Sequence, residues 1–315
     1  GIRYRLMEDA LLGRYLIPEG HMAPHRDRRM DTGFPSWGAP VPRAARDVFG
    51  DLSAYLRQPI DSTAGAYWRH RDGEDVAAQR RVGEATEEAE VLAYYAATPH
   101  YLYELSYWEA TADKQSWFRV VERACRRYRL GRVLDFGGGG GGLSLFLNAR
   151  GIRCDYLDVG GKTFEYAAWR FARHRLNVAM HDAAAPGGQP AGPYDAVVAW
   201  DVLEHLFDLE GAIRRITGVL RPRGWFLSKS TFAVSGGHHE AIHLAQHARY
   251  ADVVELNRLM ARCGLRFVGQ LKANRVSRLL RACGFRQAVA GIRIAPRLKH
   301  GGNFLVHERN GAAGG

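Results

Sequence analysis

From about residue 130 onward, short apolar runs alternate with amphipathic segments. The runs at 132–136, 153–158, 178–182, 194–200 and 225–228 have the length of buried strands. The segments at 143–149, 163–175 and 209–219 space their apolar residues as helices do. Strand alternating with helix implies a parallel sheet covered on both faces. Two later runs, 265–270 and 303–308, add strands and bring the expected sheet to seven. The first 129 residues read differently. Positions 17–49 carry five prolines and little periodicity, so they are expected to form an extended arm. Helical patterns follow at 74–97, at an aromatic segment holding Tyr101, Leu102, Leu105, Tyr107 and Trp108, and at 116–128. The predicted organisation is an arm and helical cap over 1–129 and an α/β domain over 130–309. A lid insertion is expected near 233–250, and a disordered Gly/Ala tail over 310–315.

A chain of 315 residues holds one large domain, or a core with a smaller companion. No apolar stretch approaches the roughly 20 residues needed to cross a bilayer. Ala10-Leu11-Leu12 is cut short by Arg14, so no signal peptide is expected, although the chain begins with Gly1. Cys125, Cys154, Cys263 and Cys283 form no close pair. They read as small buried hydrophobes in a reducing, cytoplasmic setting. The formal charge of +11 raises nucleic acid as a partner, but the arginines are scattered, which weakens that reading.

Between the first strand and its helix stands Val-Leu-Asp-Phe followed by six glycines, Gly137 to Gly142. Each glycine costs conformational entropy on folding, so the run implies either a linker or a close backbone approach. The apolar flanks disfavour a linker. In such a sheet a ligand sits over this first turn. Asp135 places a carboxylate beside it, where a pyrophosphate would be repelled and a ligand with an ammonium group favoured.

Asp135-x-Gly137-x-Gly139-x-Gly141 resembles the first motif of class I S-adenosylmethionine-dependent methyltransferases, and the likeness continues in order over about 131–232. Asp158 ends the second strand where this family places an acid on the ribose hydroxyls. Asp182-Ala183 ends the third, where an acid meets the adenine amino group. The segment Tyr194 to Leu206 resembles the fourth-strand motif of small-molecule methyltransferases, with Trp200 counted among the cofactor contacts and Asp195 as structural. Leu220 to Gly224 resembles the Leu-x-Pro-Gly-Gly turn, with Arg223 replacing one glycine. The resemblance implies a Rossmann-like, seven-stranded, mostly parallel sheet with helices on both faces and an N-terminal helical cap. It also implies S-adenosylmethionine as cofactor and S-adenosylhomocysteine as product. Gly137, Gly139 and Gly141 fall where a side chain would meet the cofactor, and the other three glycines are surplus to the motif.

Methyl transfer requires alignment of donor and acceptor, and removal of a proton when the acceptor is OH or NH. Glu204 and His205 follow the fourth strand, and a histidine cluster with His238, His239 and His243 follows the fifth. His239 and His243 are four apart, on one face of any helix there. One reading makes a histidine or Glu204 a general base or substrate contact. A less favoured one binds a divalent metal, because Asp201-x-x-Glu204-His205 with a later histidine resembles the metal site of small-RNA 2′-O-methyltransferases. The aromatic set around Tyr94, Tyr95, Tyr101 and Tyr107 is core or a substrate cage. The expected activity is methyl transfer to O, N or C of a small molecule. Metal-assisted methylation of RNA or peptide, a non-catalytic cofactor-binding regulator and a nicotinamide oxidoreductase are the alternatives. The sequence does not set the oligomeric state or name the acceptor.

Overall fold

The computed structural model describes residues 4–9, 13–18, 43–59, 75–110, 112–232, 242–271 and 304–311. Seven strands form one sheet: β3 (Arg132–Phe136), β4 (Arg153–Asp158), β5 (Met180–Asp182), β6 (Tyr194–Trp200), β7 (Leu220–Lys229), β8 (Leu265–Leu271) and β9 (Phe304–Arg309). Their order is β5-β4-β3-β6-β7-β9-β8, with β9 antiparallel to both neighbours. From β3 the chain steps outward through β4 to β5, then returns to place β6 on the other side of β3. The strand order therefore reverses between β3 and β6, which is where ligands of open α/β sheets bind.

Side chains of β6 alternate between two apolar layers, as the pleat requires. Val197 and Ala199 pack with Ile213 and Ile216 of α8 (Leu209–Val219) and with Leu259 and Met260 of α9 (Val253–Arg262). Ala196, Val198 and Trp200 pack on the opposite face with Val121 of α5 (Ala112–Tyr128) and with Phe146 and Leu147 of α6 (Gly142–Asn148). Helices on both faces of a mostly parallel sheet are thus observed as expected. Asp195, expected to be structural, accepts hydrogen bonds from Gly131 N (2.8 Å) and Arg132 N (2.9 Å) at the entrance to β3.

The amino-terminal region departs from the sequence reading. Residues Tyr4–Asp9 (β1) and Gly13–Pro18 (β2) pair as an antiparallel hairpin, and helix α1 (Arg43–Leu56) starts inside the segment expected to be an arm. The helix expected over 74–97 is two, α2 (Asp75–Gly83) and α3 (Glu88–Ala97). Gly83 ends the first, and Glu87 is extended at φ −129° before the second. Next come α4 (His100–Ala110) and α5. Strand β7 is longer than expected because Leu220 already pairs with Tyr194, ahead of a register shift. Arg223 adopts φ +61°, the conformation a turn glycine would take. Asn310, expected in a disordered tail, donates its N–H to Gly264 O at 3.0 Å. Cys125, Cys154 and Cys263 are buried and unbridged, and Cys283 lies outside the described residues.

The cap packs in two places. Phe49 and Leu52 of α1 meet Leu102 and Tyr107 of α4 and Tyr166 of α7 (Lys162–Arg173). Val82 and Val91 of α2 and α3 meet Ile242 and Leu244, which follow β7 in the chain. No helix among the described residues is long and apolar enough to cross a membrane.

Ile213 is fully buried between α8 and the sheet, whereas Val254 is 41% exposed on α9. Ile213→Ala is expected to lower unfolding stability by about 2–5 kcal/mol, and Val254→Ala by no more than about 0.5 kcal/mol. Denaturant titration of both variants checks this.

Candidate functional site

The site grows from the carboxyl ends of β3, β4, β5 and β6. Past Phe136 the glycine run alternates in backbone conformation: Gly137, Gly139 and Gly141 lie at φ +69°, +53° and +77°. Their left-handed geometry is what excludes side chains there, together with contacts from the protein itself. A Cβ on Gly139 would stand 2.6 Å from Leu105 Cδ1 of α4. Two of the glycines taken as surplus are also required: a Cβ on Gly138 would lie 2.5 Å from the Tyr156 ring, and one on Gly142 2.6 Å from the Glu109 carboxyl. Gly140 alone of the six has ordinary room, with its nearest neighbour at 3.7 Å.

Four of the six glycine amides in the turn are spent internally, which leaves little of it for a phosphate. Gly137 N and Gly138 N donate to Leu157 O, and Gly141 N donates to Gly138 O. Gly139 N donates to Asp158 Oδ2 at 2.6 Å, and Tyr156 Oη donates to Gly139 O at 2.7 Å. Asp135 is 5% exposed and lies beneath the turn. Its Oδ2 accepts from Ser144 N and Ser144 Oγ, which fixes the start of α6. The sequence reading aimed this carboxylate at a ligand. The structure turns it inward, since odd positions of β3 alternate toward the α6 layer. Burial pushes its pKa up to about 6, against the pull of the Ser144 hydroxyl and amide.

Asp158 and Asp182 are register partners at the ends of β4 and β5. Asp158 Oδ1 accepts from Val159 N, and Asp182 Oδ1 accepts from Gly160 N (2.8 Å) and Ala184 N (2.9 Å). Ala183 N donates to Asp158 O, binding the two strand ends together. Among the described residues neither carboxylate is in an ion pair. Burial raises Asp158 to about 6, opposed by the Gly139 and Val159 amides. Paired acceptor groups, in no ion pair among the described residues and beside a turn with most of its amides taken, suit the hydroxyls and amino group of a phosphate-free nucleoside. Trp200, expected among the cofactor contacts, stands at the end of β6. Its indole is only 9% exposed, packed on Trp117, Phe118 and Phe304, and covered by Lys114 Nζ at 3.5 Å from the ring centroid.

Beyond β6 the backbone of Asp201 turns left-handed (φ +53°), and its N–H donates to Lys229 O at 2.7 Å. The reversal sends residues Leu203–His205 back as a short 3-10 helix, and Glu204 points inward at 1% exposure. Glu204 Oε1 accepts from Thr231 N at 2.8 Å. Its Oε2 and His205 Nδ1 are buried and have no hydrogen-bond partner among the described residues. Burial and the Asp201 charge raise the Glu204 carboxyl above the usual range. Burial and His243 push His205 down to about 3, so its ring is neutral. The His205 ring lies edge-on to His243 (5.0 Å between centroids) and to Tyr95 (5.9 Å), and Tyr95 stacks on Tyr101.

Ligand atoms of Glu204, His205 and His243 lie within 4.8 Å of one another, so these three could hold a metal ion. Asp201, which opens the metal-type motif, is 49% exposed and 3.7 Å from Lys114 Nζ instead. His243 sits in a turn and not on a helix, and His238 and His239 lie outside the described residues. His247 is structural, donating from Nε2 to Leu206 O at 2.7 Å. The sequence reading missed Arg170, Glu109 and Asp51, which meet beside Gly140. The one local signal was an arginine on the apolar face of α7, alongside Tyr166, Ala167 and Phe171.

The strand order, the acids ending β4 and β5 and the glycine turn after β3 form a site suited to a nucleoside cofactor. Residues 107–270, just over half of the chain, match the methyltransferase domain family, and the chain belongs to it. The matched region is a methyltransferase domain of the class I, S-adenosylmethionine-dependent type. A ubiquinone biosynthesis O-methyltransferase from Chromobacterium violaceum is 28% identical over 151 residues, covering 42% of this chain and 64% of that protein. One from Caulobacter vibrioides is 32% identical over 94 residues, 29% of this chain and 37% of that protein. The chain therefore matches less than two thirds of either relative's length. An O-methyltransferase family protein from Burkholderia thailandensis superposes with a TM-score of 0.48 at 14% identity, covering 80% of this chain and 73% of that one.

The spacing in the turn separates two glycines by cost. Gly140→Ala is expected to leave the thermal midpoint within a degree or two, whereas Gly139→Ala, strained at φ +53° and pressed on Leu105, is expected to cost about 1–3 kcal/mol. Calorimetric melting of both variants tests the difference.

Proposed function

We propose that the enzyme methylates a hydroxyl oxygen of a small molecule, with Glu204 receiving the hydroxyl proton. The observation that carries this is Glu204 Oε2, a buried carboxylate oxygen with no hydrogen-bond partner among the described residues, beside His205 Nδ1, which has none there either. Bound S-adenosylmethionine supplies an electrophilic methyl carbon and leaves as neutral S-adenosylhomocysteine. Asp158 and Asp182 would accept hydrogen bonds from its nucleoside and so hold it beside the glycine turn. Glu204, held through Oε1 by Thr231 N, takes the proton at Oε2 as the acceptor oxygen bonds to the methyl carbon. Its burial makes it a stronger base than an exposed glutamate, closer to what proton removal near neutrality needs. Neutral His205 orients the hydroxyl through Nδ1. Tyr95, Tyr101 and Phe207 give that side of the site an apolar, aromatic wall suited to a flat acceptor. The relatives described as O-methyltransferases support oxygen as the target.

The Glu204, His205 and His243 grouping favours a second reading, in which a divalent ion binds the acceptor oxygen there. With Asp201 turned away, the described residues offer three donors for that ion.

Two measurements address these roles. Glu204→Gln is expected to lower kcat by about 10²–10⁴-fold while S-adenosylhomocysteine binds as before, assayed on a panel of phenols, amines and carbon acids. Methyl groups found only on nitrogen or carbon would overturn the oxygen assignment, and activity lost to EDTA and restored by Mg²⁺ or Mn²⁺ would select the metal reading. The second measurement concerns Asp158. Its folded pKa of about 6 exceeds its ordinary 3.8, so in the ligand-free protein its ionisation costs stability as pH rises between those values. Hydroxyl donors require the ionised form, so S-adenosylhomocysteine affinity is expected to be flat above pH 7 and to fall below about 6. Asp158→Asn is expected to weaken binding by about 1–3 kcal/mol at pH 8 and to flatten that fall, as read by calorimetry.

A further inference from the structure

Arg170 is a cation sealed inside the protein, its side chain 2% exposed. Nε donates to Asp51 Oδ2 (3.1 Å), Nη1 to Glu109 Oε2 (2.7 Å), and Nη2 to Glu109 Oε1 (2.8 Å). Nη1 also donates to Gly140 O at 2.7 Å. The partners come from three segments: α1, α4 and the glycine turn. Burial alone would lower the guanidinium pKa, yet the charge and hydrogen bonds of Glu109 hold it raised. Asp51 is shared further with Arg173 Nε (3.2 Å) and His174 Nε2 (2.8 Å).

Such a buried cluster adds little net stability over apolar packing, because desolvation offsets most of the attraction. What it fixes is geometry. Six consecutive glycines have far more backbone freedom than any other stretch of this chain. The turn is held at its start by Leu157 O and in its middle by Tyr156 Oη on the Gly139 carbonyl. The Gly140 carbonyl is the next group along, and a side chain of α7 that is itself gripped by the cap holds it. The cap also closes on the turn directly, at Leu105 against Gly139 and Glu109 against Gly142.

We propose that Arg170 is a positioning residue that couples docking of the amino-terminal cap to ordering of the cofactor turn. Asp51, more than 80 residues earlier in the chain and bonded to α7, then controls cofactor affinity through the guanidinium. This rests on the glycine turn being the cofactor site. Linkage makes the effect reciprocal: cofactor binding tightens the cap as much as the docked cap tightens the cofactor.

The test is a double-mutant cycle on the full chain with Asp51→Asn, Arg170→Met and both together. Each single variant is expected to weaken S-adenosylhomocysteine binding about tenfold. The pair is expected to be no weaker than Arg170→Met alone, because both act on one path. The KM for S-adenosylmethionine is expected to rise with kcat nearly kept. Variants that melt earlier yet bind with wild-type affinity and KM would reduce the cluster to a structural role and overturn the coupling. Where Arg170→Met does not fold, Arg173→Gln keeps the test alive. Arg173 touches Asp51 from a half-exposed position, and a smaller loss of affinity is expected. Amide exchange at Gly137–Gly142 in the ligand-free protein separates this idea from the cofactor reading. Faster exchange in Asp51→Asn supports the coupling whatever the wild type binds, and unchanged exchange overturns it. If the wild type itself binds no S-adenosylhomocysteine, the cofactor reading fails instead.

Discussion

A guanidinium shut away from water has to find partners for its donors and for its charge inside the fold, and Arg170 finds them in α1, α4 and the glycine turn at once. No one of those segments could be repositioned alone without stranding a buried charge, a change that costs several kcal/mol. The cap is therefore not an appendage laid over a finished α/β core. Its Glu109 carboxyl occupies the space a side chain at position 142 would need, and its Leu105 occupies the space above Gly139. The sheet sets where the turn begins, while the cap sets the shape in which it is held.

The same economy of donors decides the chemistry of the ligand. A helix-start turn with unspent amides would welcome phosphate. Here Leu157 O, Asp158 and Gly138 O take four of the six glycine amides. What the strand ends present in their place are carboxylates without counter-cations, Asp158 and Asp182. Acceptors in that setting call for hydroxyl and amino donors, which a nucleoside brings and a dinucleotide pyrophosphate does not. The side of the site formed after β6 and β7 differs again: one buried carboxylate, a neutral imidazole and a wall of tyrosines. The two sides of the site thus differ physically, with polar acceptors on one and apolar burial around a single carboxylate on the other.

Most of the sheet was legible because its strands are buried on both faces and read as short apolar runs. β3, β4 and β6 were recovered with their bounds, and the acids ending β4 and β5 were singled out by the resemblance to the methyltransferase motifs. Glu204 and His205 were visible as a motif. Nothing local showed that one oxygen of Glu204 would be satisfied by Thr231 and the other left bare. The direction of Asp135 was misjudged because a carboxylate next to a ligand turn looks available until Ser144 is seen to claim it. The Arg170 cluster was illegible for a plainer reason. Its partners lie 119 and 61 positions away, and a lone arginine on a helix face looks solvated unless those partners are known. The break between α2 and α3 and the early start of α1 are tertiary choices of the same kind, made by the surfaces these helices cover.

Asp201 shows how one strained residue can separate the two sides of the site. A left-handed backbone is unfavourable for a side chain by roughly 1–2 kcal/mol, though aspartate tolerates it better than most. The Lys229 carbonyl holds it by accepting its N–H. The reversal that results throws the Asp201 carboxylate outward to Lys114 and the Glu204 carboxylate inward under Thr231. With a relaxed backbone the first acid of the motif would have no such reason to face away from the second. The strain at Asp201 therefore selects which carboxylate is buried, and hence which one is raised toward neutrality. A single acid in a dry, aromatic corner is suited to taking one proton from one hydroxyl, and a pair of acids there would be suited to an ion.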